Sequence, residues 1–116
     1  ISLIESNLNA LNCARINISN VKAKFHWTDI EYEDLNFKKF DHVIMNPPFH
    51  KGKKFMHSLV LVFIRTAQKM LAKKGTLWMV HNKNLIYEDI LNDLFPKYEY
   101  IDINEKYKII KAIKYY

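Results

Sequence analysis

Residues 40–50 read FDHVIMNPPFH, and the reading of this stretch decides the fold. Val43, Ile44 and Met45 form an apolar, partly β-branched run of the kind that fills a buried strand. Pro47 and Pro48 carry no N–H for a sheet ladder, so the strand has to stop at Asn46. From about Lys53 to Lys73 the apolar residues change period: Phe55, Leu59, Val62, Phe63, Ala67, Met70 and Leu71 recur at helical spacing. A strand broken off by prolines and followed by a long amphipathic helix predicts a crossover unit of an α/β sheet.

The same alternation extends outward. ISLIE, residues 1–5, reads as a buried strand. Ser6 or Asn7 can cap a helix over residues 8–18 whose buried side is Leu8, Leu11, Cys13, Ala14 and Ile18. KAKFHWTDI, residues 22–30, predicts a second strand, and EYEDLNFKKF an acidic, aromatic loop. After the long helix, Lys73 and Lys74 suit its negative end and Gly75 its C-terminal cap. TLWMVH, residues 76–81, is the next strand, and LIYEDILNDLF a helix ended by Pro96. YEYIDIN and YKIIKAIKYY predict an antiparallel strand pair joined at Asn104–Lys106.

The chain has 116 residues, 49% hydrophobic and 14% aromatic, which suits one α/β domain spanning residues 1–116 with a core of its own. No apolar run reaches the ~20 residues of a membrane span, and the start does not have the pattern of a signal peptide. Cys13 is the single cysteine, which excludes an internal disulfide and fits a reducing, cytoplasmic setting. The formal net charge of +6 favours nucleic acid as a partner. All but two of the eighteen basic residues are lysine, however, and a compositional bias toward Lys, Asn, Ile and Tyr explains that charge equally well. The chain begins at Ile1 and has two glycines, Gly52 and Gly75, so it reads as a piece of a longer protein.

In an open α/β sheet, ligands bind beyond the carboxyl ends of the strands. Glu5, Asp29, Asn46 and His81–Asn82 fall at such ends and are expected to line one edge. At Asn46-Pro47-Pro48-Phe49, the Asn46 side-chain oxygen and the Pro47 carbonyl are acceptors that the prolines hold stiffly. Two fixed acceptors suit an –NH2 group. An exocyclic amine on a base is a poor nucleophile because its lone pair is delocalised into the ring. Holding both hydrogens turns that lone pair out of the ring plane, and Phe49 can stack on the base. Alignment would then do most of the catalytic work. The alternative is that the prolines only end a strand and that Phe49 is core.

FDHVIMNPPFHKG resembles the motif of class I S-adenosylmethionine-dependent methyltransferases with the "small" methyltransferase domain, in particular the bacterial ribosomal RNA guanine-N2 methyltransferases. His50 is part of that likeness, which continues through NLIYEDILNDLF and KYKIIKAI and covers nearly the whole chain. The resemblance implies a Rossmann-like sheet with flanking helices and a C-terminal antiparallel strand pair. The chain would enter that sheet at its second strand, after the first strand and its glycine-rich loop. It further implies S-adenosylmethionine as cofactor, with Glu5 on the ribose hydroxyls, Asp29 at the adenine and Asn46 beside the methyl donor. Asn46 and Pro47 would grip the amine and Phe49 would stack on it, with Pro48, His50 and Lys51 touching substrate. The implied partner is ribosomal RNA or a ribosomal subunit.

Other residues carry plainer expectations. His26, His42, His50, His57 and His81 have no tight ligand spacing, so no metal is expected. Cys13 reads as a small buried hydrophobe. Lys51, Lys53 and Lys54 either meet phosphates where a flipped base enters or solvate a helix start. Beside the rRNA amine methyltransferase stand two other functions: methyl transfer to a protein glutamine amide, which usually has Tyr after the prolines, and a catalytically inactive fragment or interaction module.

Overall fold

A computed structural model describes residues 2–18, 22–27, 39–47, 50–51, 54–55, 57–82 and 88–115, with the backbone alone for residues 27, 50, 51, 54, 55 and 57. The chain divides into two compact units, Ile1–Leu35 and Asn36–Tyr116.

In the first unit, β1 (Ser2–Glu5) and β2 (Lys24–Trp27) pair in parallel, Ser2 opposite Lys24 and Glu5 opposite Trp27. Between them runs α1 (Leu8–Asn17). Asn7 caps it as expected: the Ala10 N–H donates to Asn7 Oδ1 at 3.0 Å, satisfying one of the helix's orphan donors. The expected buried side is mostly not buried. Leu11 is fully covered, whereas Leu8 and Cys13 are exposed. Cys13 is therefore a surface thiol, not a core residue. A two-stranded sheet gives one helix too little apolar surface to cover its whole stripe.

The second unit is a four-stranded sheet in the order β3-β6-β8-β7. Its strands are β3 (Phe40–Met45), β6 (Leu71–Asn82), β7 (Tyr98–Ile103) and β8 (Tyr107–Ile113). β3 runs parallel to β6, while β8 is antiparallel to both β6 and β7. The first of these pairings needs a crossover, supplied by α2 (His57–Met70); the last is the expected hairpin at Asn104–Lys106. A second helix, α3 (Glu88–Leu94), precedes Pro96. Both helices cover one face of the sheet, where Val60, Ile64, Ala67, Leu77, Met79 and Leu91 are buried together with Phe95 and Ile110. Leu59 is buried as expected, Phe63 is half-buried, and the Phe55 side chain lies outside the described residues.

The long helix is shorter than its sequence period suggests, and both ends differ. Ahead of it, β4 (His50–Lys51) and β5 (Lys54–Phe55) form a small antiparallel ladder. Behind it, α2 stops at Met70 and Gly75 is no cap: it lies within β6. A Cβ at Gly75 would stand 2.8 Å from the Ala72 carbonyl oxygen and 3.1 Å from that of Asp41. The glycine is thus needed for close backbone approach to β3. Lys74 takes the left-handed turn, at φ 66, and the register jumps from Phe40–Leu71 to His42–Thr76. Two other lysines serve the end of α2 in place of Lys73 and Lys74. Lys114 Nζ donates to the Gln68 and Leu71 carbonyls at 2.6 and 2.9 Å, and Lys39 Nζ to that of Lys69, satisfying carbonyls the helix leaves open.

Candidate functional site

β3 and β6 are parallel and end within two pleats of each other, because Met45 lies opposite Met79. The strand-ending prolines therefore put Asn46 and Pro47 on the same edge as His81–Asn82. Pro47 is fully buried and Asn46 exposed. A buried, φ-locked residue thus follows an exposed amide, an arrangement that fixes the backbone from which the acceptor side chain projects.

The other expected residues are placed as follows. Glu5 ends β1 in the first unit, half-buried, and Oε1 of its carboxylate accepts the Asn7 N–H at 3.1 Å. His50 and Lys51 are in β4, with backbone only described. Asp29, Pro48 and Phe49 lie outside the described residues. Within the second unit, then, the structure brings Asn46, Pro47, His81 and Asn82 to one edge. No group of three or more metal-binding side chains occurs among the described residues.

Behind this edge, on the helix-covered face, lies a polar cluster that the sequence did not single out. Glu88 Oε1, at the start of α3, accepts from the Tyr100 hydroxyl and, at 3.3 Å, from Lys108 Nζ. Lys108 Nζ stands 5.3 Å from the centre of the Tyr100 ring, a cation–π contact. His81 pairs with Lys108 across the ladder and is 1% exposed. Burial lowers the His81 pKa, with Lys108 acting in the same sense and the Asn82 carbonyl and Glu88 against it, so its ring is neutral at neutral pH. Burial also pushes the Glu88 carboxyl up, but hydrogen bonds from Tyr100, the backbone and Lys108 outweigh that and hold it below its ordinary value. Burial and the bond to Glu88 together raise the Tyr100 hydroxyl. The cluster fastens α3 to the hairpin strands at the site edge.

Comparison with known proteins decides the family. The sequence profile of the methyltransferase small domain matches residues 1–111. The chain belongs to this family. Among curated members, ribosomal RNA small subunit methyltransferase C of Buchnera aphidicola is 32% identical over 97% of the chain and 33% of its own length. Ribosomal RNA large subunit methyltransferase G of Aeromonas salmonicida is 28% identical over 98% of the chain and 32% of its own length. A solved family structure, a T. thermophilus 16S rRNA N2 methyltransferase in complex with AdoMet and guanosine, superposes with a TM-score of 0.82 at 25% identity. It is matched over 97% of this chain and 31% of its own. The chain thus spans about a third of the length of these relatives. Its architecture is the Rossmann-like methyltransferase sheet with flanking helices and a terminal antiparallel strand pair, as the resemblance implied.

Proposed function

We propose that the protein serves S-adenosylmethionine-dependent methyl transfer to the exocyclic amine of a guanine in ribosomal RNA. The observation that carries this reading is the exposed Asn46 amide on the fully buried Pro47 at the carboxyl edge of β3. Support comes from relatives that bear the names of rRNA methyltransferases and from the family structure solved with AdoMet and guanosine.

The amine's two hydrogens are donated to Asn46 Oδ1 and to the Pro47 carbonyl, which turns the nitrogen lone pair out of conjugation. S-adenosylmethionine, when bound, supplies a methyl group on a positively charged sulfur. Held this way, the amine nitrogen would present its lone pair to that methyl group, and the proton it sheds on becoming methylated would pass to solvent. Neither acceptor is a strong base, so the rate gain comes from alignment and from fixed dipoles at the nitrogen. Glu5 fits a ribose diol: a carboxylate has two accepting oxygens, and the bond from the Asn7 N–H orients one of them. Asp29 is assigned to the adenine. Phe49 provides a stacking ring, and Pro48, His50 and Lys51 complete the substrate side.

The test is transfer of labelled methyl from S-adenosylmethionine into ribosomal RNA and, in parallel, into a protein with a glutamine acceptor. Label in N2-methylguanosine after RNA digestion is the expected result. Label in protein alone would assign the site to amide methylation, and label in neither would leave the chain a binding module.

A further inference from the structure

The sheet face away from the helices carries a row of side chains in contact. Trp78 Nε1 donates to His42 Nδ1 at 3.2 Å, and Lys111 Nζ lies 5.5 Å from the centre of the Trp78 ring. His42, Trp78 and Lys111 therefore share this face on three neighbouring strands. Side chains alternate along a strand, so residues four further on return to the same face. Four residues toward the carboxyl edge, this row becomes Asn46 at the end of β3, Asn82 at the end of β6 and Tyr107 at the start of β8. The register bears this out: Trp78 is opposite Lys111, and Asn82 is opposite Tyr107.

Tyr107 thus stands on the same face and edge as the amine grip. It lies two strands over, ~10 Å, and about one pleat (~7 Å) further out. That separation is on the scale of a nucleoside, not of a single hydrogen bond. Tyr107 is 46% exposed, and its backbone is fixed. Its N–H donates to Asn104 Oδ1 at 2.8 Å, as does that of Lys106, and its carbonyl accepts the Asn104 N–H at 3.0 Å. The Asn104 turn thereby presents an exposed ring whose attachment is already ordered. Tyrosine offers large contact area with few rotatable bonds, so little freedom is lost on binding.

We propose that Tyr107 is a further substrate-contacting residue, whose ring packs against the guanine nucleoside held at Asn46. This rests on the reading above that the bound group is a guanine. The expected mode is stacking on the base, which tolerates any aromatic ring and is lost without one.

The experiment measures binding of guanosine monophosphate to the full chain by calorimetry for four proteins. These are the wild type, Tyr107→Ala, Tyr107→Phe and Tyr115→Ala. Tyr115 is a comparably exposed tyrosine, at 44%, beyond the opposite end of β8, and serves as the control for a general effect of losing a surface ring. Tyr107→Ala is expected to weaken binding about tenfold, the lower part of the range for one base–aromatic stack. Tyr107→Phe and Tyr115→Ala are expected to bind as the wild type does. Equal affinity in all four proteins, equal loss in both alanine variants, or failure of the wild type to bind overturns the proposal. Methyl transfer to rRNA, assayed alongside, separates this from the proposed function. Transfer that is indifferent to Tyr107→Ala removes the contact and keeps the activity. Nucleotide binding that depends on Tyr107, without transfer, keeps the contact and removes the activity.

Discussion

The two units of the chain are built to different standards of burial. In the second, a four-stranded sheet and two helices enclose eleven fully or nearly fully buried hydrophobic residues in one cluster. In the first, a parallel strand pair carries one helix, and among the described residues Leu11 is its buried hydrophobic side chain. Apolar burial at roughly 25 cal/mol per Å² has to offset the entropy of ordering the chain, and two strands with one helix bury little. The proposed amine grip, Asn46–Pro47, is thus rooted in the well-packed unit, whereas Glu5, assigned to the cofactor ribose, belongs to the sparse one. Asn46–Pro47 is thus backed by the core of its own unit, whereas Glu5 has much less buried apolar surface behind it in the first.

Substitutions in the two units should therefore differ in cost. The largest effect is expected for Leu77→Ala, which empties a fully buried position and should cost ~2–5 kcal/mol in denaturant unfolding. Ile16→Ala on α1, where the side chain is 76% exposed, should stay within ~0.5 kcal/mol. Similar losses from both would refute the contrast. Next comes Asn46→Ala. The side chain is exposed, so the melting temperature should hold while methyl transfer falls ~100-fold or more, the scale of lost alignment. A parallel fall in melting temperature would recast Asn46 as a structural cap.

Gly75→Ala should follow at ~1–3 kcal/mol, the range for forcing volume into a packed site, because the new methyl meets backbone oxygens of Ala72 and Asp41. The smallest effect is a slope with pH. His81 resists protonation in the folded state relative to its ordinary value of 6.5. Its contribution is therefore complete above about pH 6.5 and is lost as pH falls below it. Unfolding midpoints measured between pH 7.5 and 5 should decline, and His81→Leu should flatten that decline. An unchanged slope would place the pH dependence elsewhere.

How far the sequence made the structure legible differs from element to element. Asn46 and Pro47 were legible because proline cannot continue a ladder, which sets a strand end without reference to anything distant. The C-terminal hairpin was legible from alternation and its turn. Gly75 was misread because the apolar period runs through Leu71 into the next strand: helix and strand share a boundary there, and only the approach of β3 to β6 shows what the glycine is for. Cys13 was misplaced because an amphipathic stripe says which side of a helix is apolar, not whether enough sheet exists to cover it. The Glu88–Tyr100–Lys108 cluster and the row Asn46–Asn82–Tyr107 depend on strand order and register, quantities with no local signature.

Asn46 and Pro47 are proposed to hold an exocyclic amine. Guanosine and inosine monophosphates differ by that amine alone, so the ratio of their affinities for the chain tests it most directly. Guanosine monophosphate should bind about tenfold more tightly, the worth of hydrogen bonds that inosine cannot make, and Asn46→Ala, which leaves only the Pro47 carbonyl, should bring the ratio closer to one. Equal binding of the two nucleotides by the wild-type protein, or a preference that Asn46→Ala leaves undiminished, would contradict this assignment.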